Sequence, residues 1–167
     1  MQTESARMSS AAEARFRIDY PNSAPRVVKV VALDPASELL VKQVARQHWQ
    51  RADFFTSLRL DHTSQPWSMQ AWLSDLAGRT KALVEEVASA DLVVMVASAG
   101  DAAEAASVIG EACAARKVMT TALVTGSNRC SDEELSRTLR SVRPYASMLV
   151  IANDDEYIEE MLAALRA

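Results

Sequence analysis

The stretch Leu92-Val93-Val94-Met95-Val96-Ala97-Ser98-Ala99-Gly100-Asp101 decides the fold of this chain. Apolar residues follow one another from Leu92 to Ala97 without a polar interruption, so neither face of the segment is built for water. That pattern predicts a strand of a parallel sheet covered on both sides. Ser98-Ala99-Gly100-Asp101 closes the run, and an alanine-rich segment of helical composition continues to about Lys117. Asp101, with Glu104 three residues on, reads as an N-cap and its reciprocal partner.

The same strand-then-helix unit recurs on either side. Upstream, Val27 to Leu33 is a nearly continuous apolar run stopped by Asp34-Pro35, with Asp34 as N-cap and Pro35 as first helical residue. Leu40, Val44 and His48, with Leu39 beside them, follow at helical spacing and place His48 in packing beside Trp49. Phe54 to Leu60 reads as a shorter, more polar strand. Residues 61–70 read as an irregular connection. Helical pattern then resumes at Trp72, Leu73 and Leu76, breaks near Gly78 and restarts at Leu83, Val84 and Val87.

Downstream, a strand over 118–125 meets the turn Gly126-Ser127-Asn128, and a Ser131/Glu134 capping box opens a helix to Val142. A strand over 148–152 and a helix from Asn153 or Asp154 to Arg166 finish the chain. Residues 1–24 are polar, end in a proline-containing stretch and read as a flexible tail; residues 25–167 form one domain.

Strands alternating with helices require parallel pairing through right-handed crossovers. The expectation is therefore an α/β, Rossmann-like three-layer α/β/α sandwich around a five-stranded parallel sheet. Its strand order is 2-1-3-4-5, with the polar second strand at an edge. Such an order reverses direction between the first and third strands, so a ligand crevice opens beyond their carboxyl ends. Asp34, Ser98, Gly100, Asp101, Thr125, Gly126, Ser127 and Asn153 are the candidate ligand-binding residues, with Asp155 flanking them.

Composition narrows the function. The 167 residues carry a net charge of -4, and the 14 Arg and four Lys are scattered among 22 carboxylates, so no nucleic-acid stripe exists. The longest strongly apolar run is far short of a bilayer span, and charges interrupt the first segment where a signal peptide would be apolar. Cys113 and Cys130 are separated by sixteen residues and make no metal or redox pair, which suits a reducing cytoplasm. The four glycines lie at least ten residues apart, which excludes every glycine-rich phosphate loop. No cofactor, metal, nucleic-acid or membrane partner is expected, and no catalytic residue is assigned.

The last hundred residues resemble the GTP-binding domain of the FtsZ/tubulin superfamily. The resemblance runs over about residues 78–154, through Gly78-Arg79-Thr80-Lys81, Ala90 to Ala97, Thr121 to Thr125, and Leu139 to Asp154. The family's glycine- and threonine-rich phosphate loop is replaced by Ser98-Ala99-Gly100-Asp101-Ala102-Ala103-Glu104, and its first loop by Asp34-Pro35-Ala36-Ser37. Two carboxylates and several Cβ atoms stand where backbone would wrap a triphosphate. What the resemblance implies is the scaffold, with GTP binding and FtsZ-type GTPase activity lost. Ser98-Ala99-Gly100-Asp101 and Leu123-Val124-Thr125-Gly126-Ser127 are also similar in layout to SIS phosphosugar-binding domains, which implies a phosphosugar regulator or isomerase.

Other residues carry structural and functional readings together. Asp154, Asp155 and Glu156 suit a helix N-terminus. His62 could serve a nucleophile such as Ser64 or Ser98. Cys113 reads as core and Cys130 as a residue at a helix start. Trp49, Trp67, Trp72, Phe54 and Phe55 concentrate aromatic mass between residues 49 and 72 and read as a sheet-edge cover or a homodimer contact. The expectations are thus a small-ligand domain for a nucleotide or phosphometabolite, or an oligomerisation module, with a homodimer in either case.

Overall fold

The computed structural model describes residues 25–57, 72–75, 80–153, 155, 157–165 and 167. Strands β1 (Val28–Ala32), β2 (Ala52–Thr56), β5 (Leu92–Ser98), β6 (Met119–Thr125) and β7 (Met148–Ile151) are mutually parallel. Their order, β2-β1-β5-β6-β7, is the expected 2-1-3-4-5 arrangement. Short β3 (Trp72–Asp75) and β4 (Thr80–Ala82) extend the sheet to seven strands by antiparallel pairing outside β2.

The second strand is therefore not at the edge. It also lies earlier than expected, at Ala52–Thr56, and its predicted continuation to Leu60 falls outside the described residues. Trp72-Leu73 were expected in a helix and pair instead in β3. Apolar residues at 72, 73 and 76 fit a helix, but a segment this short fits either period, and the open ladder of β2 decides for the strand.

Alternation along β1 and β5 divides the core. Val28, Val30, Ala32, Leu92, Val94 and Val96 pack against α1 (Pro35–Val44) and α5 (Tyr157–Ala164) through Val41, Val44, Ile158 and Leu162. Val31, Val93, Met95 and Ala97 face the opposite layer, α2 (Leu83–Ala88), α3 (Ala105–Arg116) and α4 (Asp132–Val142), through Leu83, Val87, Ile109 and Val142. Cys113 belongs to that layer as expected, and burial pushes its thiol up to about 12.

Two helix starts hold and two move. Asp34 caps α1 with Pro35 in the first turn, and Ser131 and Glu134 form the reciprocal box of α4. The proposed Asp101/Glu104 box does not form: α3 begins at Ala105 after Glu104, with no side-chain cap. Gly100, at φ 94°, turns the chain at the strand end, and its N–H goes to Thr138 Oγ1 at 3.0 Å, while that hydroxyl donates to the Asp101 carbonyl at 3.0 Å. The loop is thus held to α4 before α3 can start. At the C-terminus, Asn153 precedes rather than opens α5, which starts at Tyr157, because Ala152 N–H still pairs with Val124 O at 2.8 Å.

His48 lies beyond the end of α1 and is exposed rather than packed. Trp49 donates its indole N–H to the Val44 carbonyl at 2.9 Å and lies 6.4 Å from the Phe54 ring, and Phe55 is buried. These three aromatics build the core and its margin. Trp67 lies outside the described residues.

Candidate functional site

The carboxyl ends of β1, β5 and β6 converge as the strand order requires. Asp34 stands at the centre of that convergence, 2% exposed. Its Oδ1 accepts the Ser37 N–H at 2.7 Å and its Oδ2 accepts the Ser98 N–H at 2.7 Å. Ser37 Oγ in turn accepts the Asp34 N–H at 3.1 Å. One carboxylate thus caps α1 and ties the end of β1 to the end of β5. Both of its oxygens are engaged, and it does not line the crevice.

Beyond Asp34 lies a cavity of about 410 Å³. Ser98, Asp101, Thr125 and Gly126, four of the eight candidates, line it. Gly126, at φ 72°, turns the chain away from β6 into the short 3-10 segment Ser127–Arg129. The other four candidates are placed differently. Asp34 lies behind the wall, Gly100 turns toward α4, and Ser127 Oγ donates to Asn153 Oδ1 at 2.7 Å, which pairs these two residues outside the lining.

Asp155, expected to flank the crevice, lines its rim and faces Arg129. The wall from α1, Ala36, Leu39, Leu40 and Gln43, was not foreseen as a site. Leu39 is 70% exposed, the most open large apolar side chain among those described. The signal was present in the adjacency of Leu39 and Leu40, because only part of an amphipathic helix can face the sheet. Arg129 Nη2 lies 2.9 Å from Asp155 Oδ1, and both side chains are largely exposed, so the pair closes one side of the crevice without adding much stability.

Acidic groups dominate the electrostatics. Partial burial, and after it the charge of Asp34, hold the Asp101 carboxyl above its ordinary range. Among the described residues the one cation of the lining, Arg129, is already paired. Ser98 and Thr125 bring hydroxyls, and among the described residues no histidine belongs to the lining. His62 and Ser64 lie outside the described residues. Cys130, half-buried, donates its thiol to the Ser127 carbonyl at 3.7 Å. No group of three or more potential metal ligands converges among the described residues, and none of their helices is long and apolar enough to cross a membrane.

A second charged centre, which the sequence pattern concealed, lies at the opposite end of β1. Lys29, 6% exposed, places Nζ 2.5 Å from Asp53 Oδ2, 2.9 Å from Glu86 Oε2 and 5.8 Å from the centre of the Phe55 ring. Burial pulls its ammonium toward neutrality, but the hydrogen bonds and charges of the two carboxylates outweigh this and hold its pKa above the ordinary lysine value.

Fold and crevice together define a Rossmann-like α/β domain with an open crevice at the switch point. No protein-family model and no curated protein matches the sequence. Among solved structures, the chain is similar to translation elongation factor SelB from Methanococcus maripaludis in complex with the GTP analogue GppNHp, with a TM-score of 0.46 and 11% identity over 84% of this chain and 33% of that one. The apo form of the same factor gives a TM-score of 0.48 and 13% identity over 83% and 32% of the two chains. The chain spans about a third of the length of these structures, and the likeness is one of fold alone.

Proposed function

We propose that this protein is a non-catalytic binding domain for a small ligand of nucleoside size, bearing hydroxyl or amino groups, at the carboxyl edge of its sheet. The observation that carries this reading is the position of Asp34. In nucleotide-binding α/β domains the first helix N-terminus and the neighbouring strand ends offer backbone N–H groups to a phosphate. Here the Asp34 carboxylate takes the N–H groups of Ser37 and Ser98, so the protein supplies its own anion.

The lining supports a different ligand chemistry. Leu39 and Leu40 offer an apolar wall for a ring, while Asp101, Gln43 and Thr125 offer partners for hydroxyl or amino groups. A volume of about 410 Å³ lies within the usual range for small-molecule sites. Among the described residues of the lining, a triphosphate would meet Asp101 and Asp155 with Arg129 alone in return. This reading agrees with the scaffold implied by the FtsZ/tubulin resemblance and with loss of the GTPase activity. It favours the nucleoside part of a nucleotide over the phosphate of a phosphometabolite or phosphosugar.

The test is amide-resolved NMR titration with guanosine, adenosine and magnesium-GTP. Shifts at Ser98, Thr125 and Gly126 with a nucleoside, no gain in affinity on adding the triphosphate and no GTP hydrolysis are expected. Tighter binding of magnesium-GTP than of guanosine, or no shift at these residues with either nucleoside, would overturn the reading.

A further inference from the structure

Among the described residues one edge of the sheet is uncovered, and the helix beside it carries a self-complementary charge pattern. β7 is the terminal strand of the sheet, so among the described residues nothing pairs with its outer side. Edge strands are normally blunted by shortness, a lysine, a proline, a bulge or a covering element. β7 is short, but its four residues, Met148-Leu149-Val150-Ile151, include no proline and no lysine or other charge. Met148 and Ile151 are each 47% exposed. An open backbone ladder is a template for another strand. Paired antiparallel with itself, this one sets Met148 opposite Ile151 and Leu149 opposite Val150, apolar against apolar.

The neighbouring helix points to a second copy as the occupant. α4 lies on the layer of Leu149, with Leu135, Leu139 and Val142 toward the core. Thr138 and Glu134 face the Gly100 loop, and so mark the side of α4 toward β5. At helical spacing the flank turned the other way, toward the open edge, is then Asp132, Ser136, Arg140 and Arg143, all exposed, with Glu133 beside it. That flank is acidic at its start and basic at its end. A two-fold axis perpendicular to the sheet, which antiparallel β7 pairing imposes, lays the two α4 helices side by side and antiparallel. Asp132 and Glu133 of each copy then meet Arg140 and Arg143 of the other.

We infer that the protein forms a closed homodimer in which β7 pairs with β7, joining the two sheets into one, with α4 against α4 in an acid-to-base register. The interface is isologous, as a two-fold contact must be, and it leaves the crevice at the carboxyl edge open in both copies. The aromatic segment expected to carry the contact is not needed for it.

The test uses charge segregation in the full chain, read by native mass spectrometry and sedimentation. One variant carries Arg140→Glu and Arg143→Glu, the other Asp132→Lys and Glu133→Lys. Each alone should dissociate by roughly tenfold or more relative to the native protein, because like charges now face one another. Mixed together they should form a one-to-one heterodimer that rising salt weakens. Ile151→Lys, with its far-ultraviolet circular dichroism retained, should also give monomer. A native protein that is monomeric at high micromolar concentration overturns the proposal, whether or not the β7 amides resist hydrogen exchange. So does a dimer indifferent to both charge variants, or one lost only when Trp67 or Trp72 is replaced.

Discussion

β1 carries a buried charge at each end, and the two are satisfied by opposite chemistry. At its carboxyl end Asp34 is neutralised by backbone: the N–H groups of Ser37 and Ser98 supply dipoles but no counter-charge. At its amino end Lys29 is neutralised by side chains, Asp53 and Glu86, which supply counter-charges on flexible stems. Backbone donors cannot withdraw when their acceptor is removed, whereas side-chain carboxylates can swing toward water. The difference teaches where rigidity lies. The Asp34 end is a fixed junction of β1, β5 and α1, and the Lys29 end is a charged seal beneath α2.

The largest expected effect follows from that asymmetry. Asp34→Ala removes the α1 cap and strands the Ser98 N–H, which together cost about 3 kcal/mol. The check is the urea midpoint at unchanged slope. Lys29→Ala breaks a buried ion pair, but Asp53 is 59% exposed and rehydrates, so the loss falls to about 2 kcal/mol. The two sites share no partner, so the double variant should lose the sum within about 0.5 kcal/mol. A Lys29 loss larger than that of Asp34 would reverse the comparison.

Ser131→Ala sharpens it. Ser131 and Glu134 make the same reciprocal box as Asp34 and Ser37, but at the surface. Loss of this cap leaves donors that water can reach, and the expected cost is about 1 kcal/mol. The excess in Asp34→Ala then measures what the tie to Ser98 contributes. Equal losses at the two caps would mean that the tie contributes nothing.

The sequence revealed these features unevenly, for physical reasons. The five parallel strands and their order were legible because unbroken apolar runs such as Leu92 to Ala97 have one physical use. Asp34-Pro35 and Ser131/Glu134 were legible because capping is local. The Asp101/Glu104 cap was misread because Thr138, 37 residues from Asp101, fixes that loop first. Trp72-Leu73 were misread because pairing with β2 overrode local pattern. Lys29 went unnoticed inside an apolar run, since its partners come from β2 and α2, distant in sequence. Half of the candidate site residues reached the cavity. The wall from α1 was missed because which flank of a helix stays open depends on what packs beside it.

The smallest effect is in pH dependence, where Lys29 on β1 and Asp101 beyond β5 act at opposite limits of the scale. The pKa of Lys29 is raised in the folded protein, so its stabilisation is fully present below the ordinary lysine value of about 10.4 and is lost as pH climbs through the folded value. The pKa of Asp101 is also raised, by partial burial and then by Asp34. An acid raised on folding favours the folded state in its protonated form, so that contribution is lost as pH rises from about 3.9 through the folded value. Asp101 is open to solvent, and screening reduces the difference to roughly a few tenths of a kcal/mol. Urea midpoints of the native protein and of Asp101→Asn, measured from pH 3.5 to pH 7 in small steps, should therefore diverge slightly in favour of the variant as pH rises. Parallel profiles would show that neither burial nor the Asp34 charge raises Asp101, and the carboxylate that meets a phosphate on that wall of the crevice would then be fully ionised over the neutral range.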